Sequence, residues 1–103
     1  MDRMAMLQEF LSENPEDAFA RYGLALEYAK TGQVDTAMAE FKTLLARNPD
    51  STAAYQMAAQ TLMSAERFDE ARKYLEDGIA CARRGGNQHA ASEMQGMLDT
   101  LPL

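Results

Sequence analysis

Few side chains in this sequence have the types and spacing that metal binding requires. His89 and Glu93 lie four residues apart. On a helix this spacing puts both side chains on one face, where they would supply half of a metal site. Cys81 is the only cysteine and His89 the only histidine, so the strongest further ligands are lacking. We therefore interpret the pair as a surface pair and expect no metal ion.

Cys81 has a side chain of a typical nucleophile type in an apolar setting. It lies close to Ile79 and Ala82, which predicts a partly buried structural thiol. With no second cysteine in the chain, an internal disulfide is impossible, and an oxidised Cys81 would have no resolving partner. This cysteine usage is typical of a reducing compartment, so we expect a cytoplasmic protein.

Acid–base and phosphate chemistry also lack a recognisable motif. The sequence has no phosphate-binding loop, no Gly-x-Ser-x-Gly and no His-Glu-x-x-His. Carboxylate pairs such as Glu66/Glu70 and Glu76/Asp77 fall on predicted solvent faces or at helix ends. We therefore expect a protein that is not an enzyme and carries no cofactor.

Composition narrows the class of partner. The chain has 103 residues, of which 47% are hydrophobic and 25% charged, as in an ordinary globular domain. Its formal net charge is −6 and no stripe of Lys or Arg appears, which argues against nucleic acid as a partner. No stretch of 18 apolar residues occurs, so no membrane span is expected. Residues 1–9 lack the apolar core of an export signal, so none is expected.

Apolar residues recur at helical spacing between strong breaks, and nothing alternates with a period of two. The sequence therefore predicts an all-α fold. We expect Asn14 to cap the second helix, with Pro15 in its first turn, and Gly32 to end it in a left-handed conformation. Gly85 should stop the fifth helix. The predicted helices span roughly residues 2–13, 15–31, 34–47, 50–64, 68–84 and 87–100.

An internal repeat underlies this helical pattern. The dipeptide Asn14-Pro15 returns 34 residues later as Asn48-Pro49. A period of this length indicates an array of stacked repeats, each too small to bury its apolar face alone. Other identical pairs at the same offset are Met4/Met38, Leu11/Leu45, Ala20/Ala54, Ala25/Ala59 and Ala37/Ala71.

The repeat resembles the tetratricopeptide repeat family. Departures from the family pattern are Arg21 in place of a large aromatic, Glu66 in place of the mid-repeat glycine and Arg83 in place of the closing proline. Matching residues of the first repeat are Leu24, Ala25, Tyr28, Gly32, Ala37, Phe41 and Pro49, and those of the second are Tyr55, Ala58, Ala59, Leu62, Phe68, Ala71 and Leu75.

The resemblance implies an α-solenoid of antiparallel helix pairs, with about six helices in one domain over residues 1–103. Its predicted parts are a half-repeat helix (1–14), repeat 1 (15–50), repeat 2 (51–85) and a capping helix (86–101). The last helix has an apolar stripe suited to covering an exposed end of the array. The alternative is a displaceable helix or a dimer arm.

The resemblance also implies that the first helix of each pair lines a concave groove. That groove would be mostly apolar and amide-lined, with one cation, and would suit an amphipathic helix or an extended peptide. Alternatively, Phe19 and Tyr22 pack on the half repeat or under the capping helix. A carboxylate clamp is not expected, because Gly23 and Leu26 stand where polar ligands would be needed. The predicted peptide-binding residues are Phe19, Tyr22, Leu26, Lys30, Gln56, Met57, Gln60 and Met63.

Two functional hypotheses follow from these patterns. The first is a non-enzymatic adaptor that binds a peptide or helix of another protein in the groove. The second is a homo-oligomeric assembly module, for example a homodimer, that pairs through the array ends or the capping helix. An enzyme is not expected.

Overall fold

The computed structural model describes residues 2–102, and this part of the chain forms six helices and no strand. It confirms the all-α fold, and the largest difference from a predicted helix bound is three residues, at the start of α2. None of the described helices is long and apolar enough to cross a membrane. The helices are α1 (Arg3–Glu13), α2 (Ala18–Lys30), α3 (Val34–Arg47), α4 (Thr52–Ser64), α5 (Phe68–Arg84) and α6 (Gln88–Asp99).

The predicted cap of α2 is wrong. Asp17, not Asn14, caps this helix, because its carboxylate accepts a hydrogen bond from the Ala20 amide at 2.8 Å. Asn14 instead closes α1, and its side-chain amide donates to the Phe10 carbonyl at 3.1 Å. The reason is local: a residue that precedes proline is pushed out of the helical region. The chain therefore leaves the helix at Asn14, and Pro15 lies in the turn before α2.

Left-handed residues end the helices at three turns. Gly32 has φ +81°, as predicted. Gly85 follows the last residue of α5, but Gly86, with φ +72°, is the residue that takes the left-handed conformation. At the turn after α4 the same role falls to Glu66, with φ 59°. A side chain with a Cβ is strained in that conformation, whereas glycine is not.

We expect Glu66→Gly to raise the free energy of unfolding by about 1 kcal/mol, because it removes the steric cost of the left-handed conformation. Gly32→Ala is the matched control of opposite sign. Gly32→Ala should lower the free energy of unfolding by about 1 kcal/mol. No heavy atom lies within 4 Å of a Cβ added at Gly32, so this effect would come from the backbone conformation alone. Urea unfolding of both variants measures the effect, and a Glu66→Gly protein no more stable than wild type would contradict it.

The chain comprises two compact units, the first ending at Asn48 and the second beginning at Pro49. In unit 1, α1 packs on α2 and α2 packs on α3. Phe41 of α3 is fully buried. Ala25 and Ala37 are also fully buried, as expected where helices approach closely. The contact between α1 and α2 is made by Met4, Leu7, Leu11, Ala20, Leu24 and Tyr28.

In unit 2, α4 packs on α5 and α5 packs on α6. Ala59 and Ala71 are fully buried, which repeats the small-residue pattern of unit 1. From α6, the side chains of Ala90, Ala91 and Met94 are buried in the core of this unit. The last helix therefore covers part of α5.

Candidate functional site

Helix α2 presents the first four predicted binding residues. Its inner stripe, with Leu24 and Ala25, is buried in unit 1. The Phe19 side chain is 84% exposed, although it is the largest apolar group in the first turn of the helix. Tyr22 and Leu26 are half-buried and Lys30 is exposed in the last turn. The structure thus places these four residues on one helix, and we call them the α2 face.

Tyr22 is held in place by α3. Its ring meets the buried Phe41 ring edge-on, with 6.4 Å between centroids and 68° between planes. Burial raises the pKa of the Tyr22 hydroxyl above its ordinary value. The phenol therefore stays protonated at neutral pH and can donate a hydrogen bond. Phe19 has no such cover, so packing inside unit 1 does not account for it.

Helix α4 presents the other four predicted residues in unit 2. Gln56 and Met57 are half-buried, and Gln60 is exposed. The Gln60 amide lies 3.5 Å from the Ser64 hydroxyl, one turn further along. Met63 packs against the core of unit 2 and has a partly structural role. The two sets lie in different units, and a single groove that combines them stays a prediction.

Arg21 positions the α2 face. The sequence did not reveal this role, because Arg21 was visible there only as a replacement for the large aromatic residue of the family pattern. Its Nη1 donates to Glu40 Oε1 of α3 at 2.6 Å, and its Nη2 donates to the Pro15 carbonyl at 2.8 Å. The side chains of Arg21 and Glu40 are only 15% and 20% exposed, respectively. Arg21 therefore ties α2 both to α3 and to the turn that follows α1.

Replacing Arg21 should destabilise unit 1. We expect Arg21→Ala to cost about 1.5 kcal/mol, because Glu40 would lose a charge-assisted hydrogen bond in a poorly hydrated position. Arg47→Ala is the control, since Arg47 donates to the same Pro15 carbonyl at 2.6 Å from an exposed position. It should cost less than about 0.5 kcal/mol. Urea unfolding measures the stability of both variants. Equal losses in the free energy of unfolding would show that the Arg21–Glu40 pair does not stabilise unit 1.

The residues considered for metal chemistry form a surface pair. His89 Nε2 lies 3.3 Å from Glu93 Oε1, and both side chains are exposed. Among residues 2–102, no group of three or more His, Cys, Asp or Glu side chains is placed to hold a metal ion. The arrangement thus gives no support to a metal site at His89.

Cys81, considered above as a nucleophile, is more deeply buried than the sequence predicted. Its side chain is 4% exposed, and its thiol donates to the Pro49 carbonyl at 3.5 Å. A thiol enclosed in this way has a packing role, because nucleophilic cysteines need access to solvent and a neighbouring positive charge. The carboxylates noted in the sequence are all exposed, and Glu70 receives two hydrogen bonds from Arg67 at 2.8 Å each.

Comparison with known proteins decides the family. The family model described as Tetratricopeptide repeat matches residues 4–58 and, in a second and overlapping match, residues 28–92. The chain belongs to the tetratricopeptide repeat family. The two matches overlap because each spans more than one repeat of 34 residues. Members of this family generally bind other proteins, and the fold is typically a non-catalytic scaffold.

Similar proteins agree with this assignment. The TPR repeat-containing protein PA0015 of Pseudomonas aeruginosa is 25% identical over 88 residues, which are 85% of this chain and 84% of that protein. The solution structure of protein BPP2914 from Bordetella parapertussis aligns with a TM-score of 0.84 and 25% identity, over 96% of this chain and 86% of that one.

A tetratricopeptide repeat domain protein from Salinibacter ruber is also similar. Its solution structure aligns with a TM-score of 0.74 and 34% identity, over 82% of this chain and 85% of that chain. These tetratricopeptide repeat relatives support the fold of antiparallel helix pairs. They leave the binding partner of this chain to be inferred from its own surface.

Proposed function

We propose that this chain is a non-enzymatic cytoplasmic adaptor whose α2 face binds a peptide or helical segment of another protein. One observation carries the proposal: Phe19 is 84% exposed in a helix whose other face is buried. Burying apolar surface is worth about 25 cal/mol per Å², so an aromatic ring left in water gains stability when a partner covers it. Aromatic side chains with this exposure are frequent anchors of protein interfaces.

The spacing of the α2 face suggests how a partner binds. Phe19, Tyr22 and Leu26 follow each other at intervals of three and four residues, which makes a continuous apolar strip along the helix. A strip of this kind accepts the apolar side of a short helix or alternate side chains of an extended peptide. Lys30 stands at the end of the strip and would favour an acidic residue in the partner at that position.

The residues of α4 extend the proposal to the second unit. Exposed or half-buried amides at Gln56 and Gln60 can hydrogen-bond with a peptide backbone. Met57 and Met63 are half-buried, flexible and polarizable, which suits an adaptable contact surface. We propose that these side chains contribute to specificity, while Phe19 supplies most of the binding free energy.

Affinity capture from lysate tests the α2 face with a single change. Phe19→Ser removes the aromatic anchor and should leave the fold intact, because the side chain is 84% exposed. Captured partners should bind the variant about tenfold more weakly than wild type, as for an interface anchor. The matched control is Lys42→Ser, a change to the same residue type at an exposed position of α3 that belongs to neither proposed surface. Partners retained equally by wild type and Phe19→Ser would refute the α2 face.

We favour an adaptor over a homo-oligomeric assembly module because α6 directs polar side chains to solvent. The exposed polar residues of this helix include Gln88, His89, Ser92 and Glu93. The core of a stable dimer interface is mostly apolar, so these side chains disfavour dimerisation through α6. Light scattering after size exclusion should find a monomer in the micromolar range. A stable dimer that is disrupted by changes in α6 would instead support assembly as the function.

A further inference from the structure

Helix α1 carries an exposed apolar band on a side that does not face α2. Met6 is 57% exposed and Phe10 is 45% exposed, and the two residues lie one turn apart. The stripe of α1 that packs on α2 consists of Met4, Leu7 and Leu11. On a helix, positions 6 and 10 lie to one side of that stripe. We call Met6 and Phe10 the α1 band.

The internal repeat shows what covers the equivalent band elsewhere in the chain. At the offset of 34 residues, Met6 corresponds to Glu40 and Phe10 corresponds to Leu44, both in α3. Glu40 accepts a hydrogen bond from Arg21 of α2, and Leu44 is 3% exposed. On the equivalent side of α3, Glu40 therefore bonds to the preceding helix, α2, and Leu44 is buried. Within residues 2–102, the exposure of Met6 and Phe10 shows that no helix covers α1 in the same way.

Charge around the band selects the class of partner. Glu9 and Glu13 are exposed and follow Met6 and Phe10 by three residues each, so they flank the band along the helix. Arg3, at the edge nearer α2, already pairs with Glu27 at 2.9 Å. The edge of the α1 band that lies away from α2 is therefore anionic. A second copy of this chain, with a net charge of −6, would bring like charges together, whereas a basic helix would not.

We propose that the α1 band binds an amphipathic, basic helix of another protein, in a position equivalent to that of α2 against α3. The apolar stripe of that helix covers Met6 and Phe10. Its Lys or Arg side chains pair with Glu9 and Glu13. This surface is separate from the α2 face, so the chain would engage two partner segments of different chemistry.

A synthetic peptide tests the proposal with the full chain. The probe is a fluorescent helix of Leu, Ala and Lys about 18 residues long, with leucines on one face and lysines along its edges. In anisotropy titrations, Met6→Ser combined with Phe10→Ser should weaken binding about tenfold. Glu9→Gln with Glu13→Gln should weaken it about threefold and reduce its salt dependence. Phe19→Ser should leave it within about twofold of wild type, because that residue belongs to the α2 face.

Controls separate this site from general attraction to an acidic protein. A scrambled peptide of the same composition keeps the charge but loses the apolar face, and it should bind the wild-type chain about tenfold more weakly. Circular dichroism checks that each variant is folded. Equal binding of the designed peptide by wild type and the Met6/Phe10 variant would overturn the proposal, as would equal binding of the scrambled peptide. Self-association that Phe10→Ser abolishes would also overturn it, since a second copy would then be the occupant.

Discussion

Phe41→Ala should lower the free energy of unfolding by about 3–5 kcal/mol. The Phe41 side chain is fully buried, and it is one of the four largest side chains that are fully buried in the described chain. Truncation removes the transfer free energy of the ring and leaves a cavity that the rigid α2–α3 pair fills only in part. Since domains of this size have a total stability of about 5–15 kcal/mol, the variant would lose a large fraction of it.

Urea unfolding measures this loss, and Lys42→Ala is the control. Lys42 is the next residue of α3 and is exposed, so its truncation should change stability by less than about 0.5 kcal/mol. Phe41→Ala should also weaken binding at the α2 face, because Tyr22 rests edge-on against the Phe41 ring. A Phe41→Ala protein within about 1 kcal/mol of wild type would contradict the described packing of α3.

The architecture was predictable because its signals are local and repeated. Helical periodicity and the breaks at Gly32 and Gly85 fixed the number and order of the helices, and the structure confirms them. The pairs Ala25/Ala59 and Ala37/Ala71 recur at the 34-residue offset, and all four of these small residues are fully buried. The cap of α2 was not predicted correctly, because Asn14 and Asp17 are both good cap residues. The steric effect of Pro15 on the residue before it decided between them.

The candidate site was less accessible to sequence reasoning. The repeat register placed Phe19 on the outer side of α2, but the pattern alone left open whether α1 or the last helix covers it. Arg21 was visible only as a missing aromatic residue, since its partners Glu40 and the Pro15 carbonyl become neighbours only after folding. The exposure of Met6 and Phe10 was missed for the same reason. Their apolar character suited a core position, and only the three-dimensional arrangement shows which side of α1 is covered.

Gly78 is a close contact that the alanine pattern did not reveal. A Cβ added at Gly78 of α5 would lie 2.8 Å from Tyr55 Cβ of α4 and 2.6 Å from Met94 Sδ of α6. The sulfur belongs to a flexible side chain and can move, whereas the Tyr55 Cβ is fixed to its backbone. The absence of a side chain at Gly78 therefore allows α4 and α6 to pack on α5 together.

Gly78→Val should consequently lower the free energy of unfolding by about 3 kcal/mol, because the added methyl groups force the helices apart. The matched control is Gly96→Val in α6, where no heavy atom lies within 4 Å of an added Cβ. Valine forms helices slightly better than glycine, so this control should be neutral or gain up to about 0.5 kcal/mol. Thermal and urea unfolding compare the two variants. If they are equally stable, the close approach of Tyr55 in α4 to Gly78 in α5 is contradicted. A large loss for Gly78→Val beside an unchanged or more stable Gly96→Val would instead support it, because the two substitutions differ only in what surrounds the added side chain.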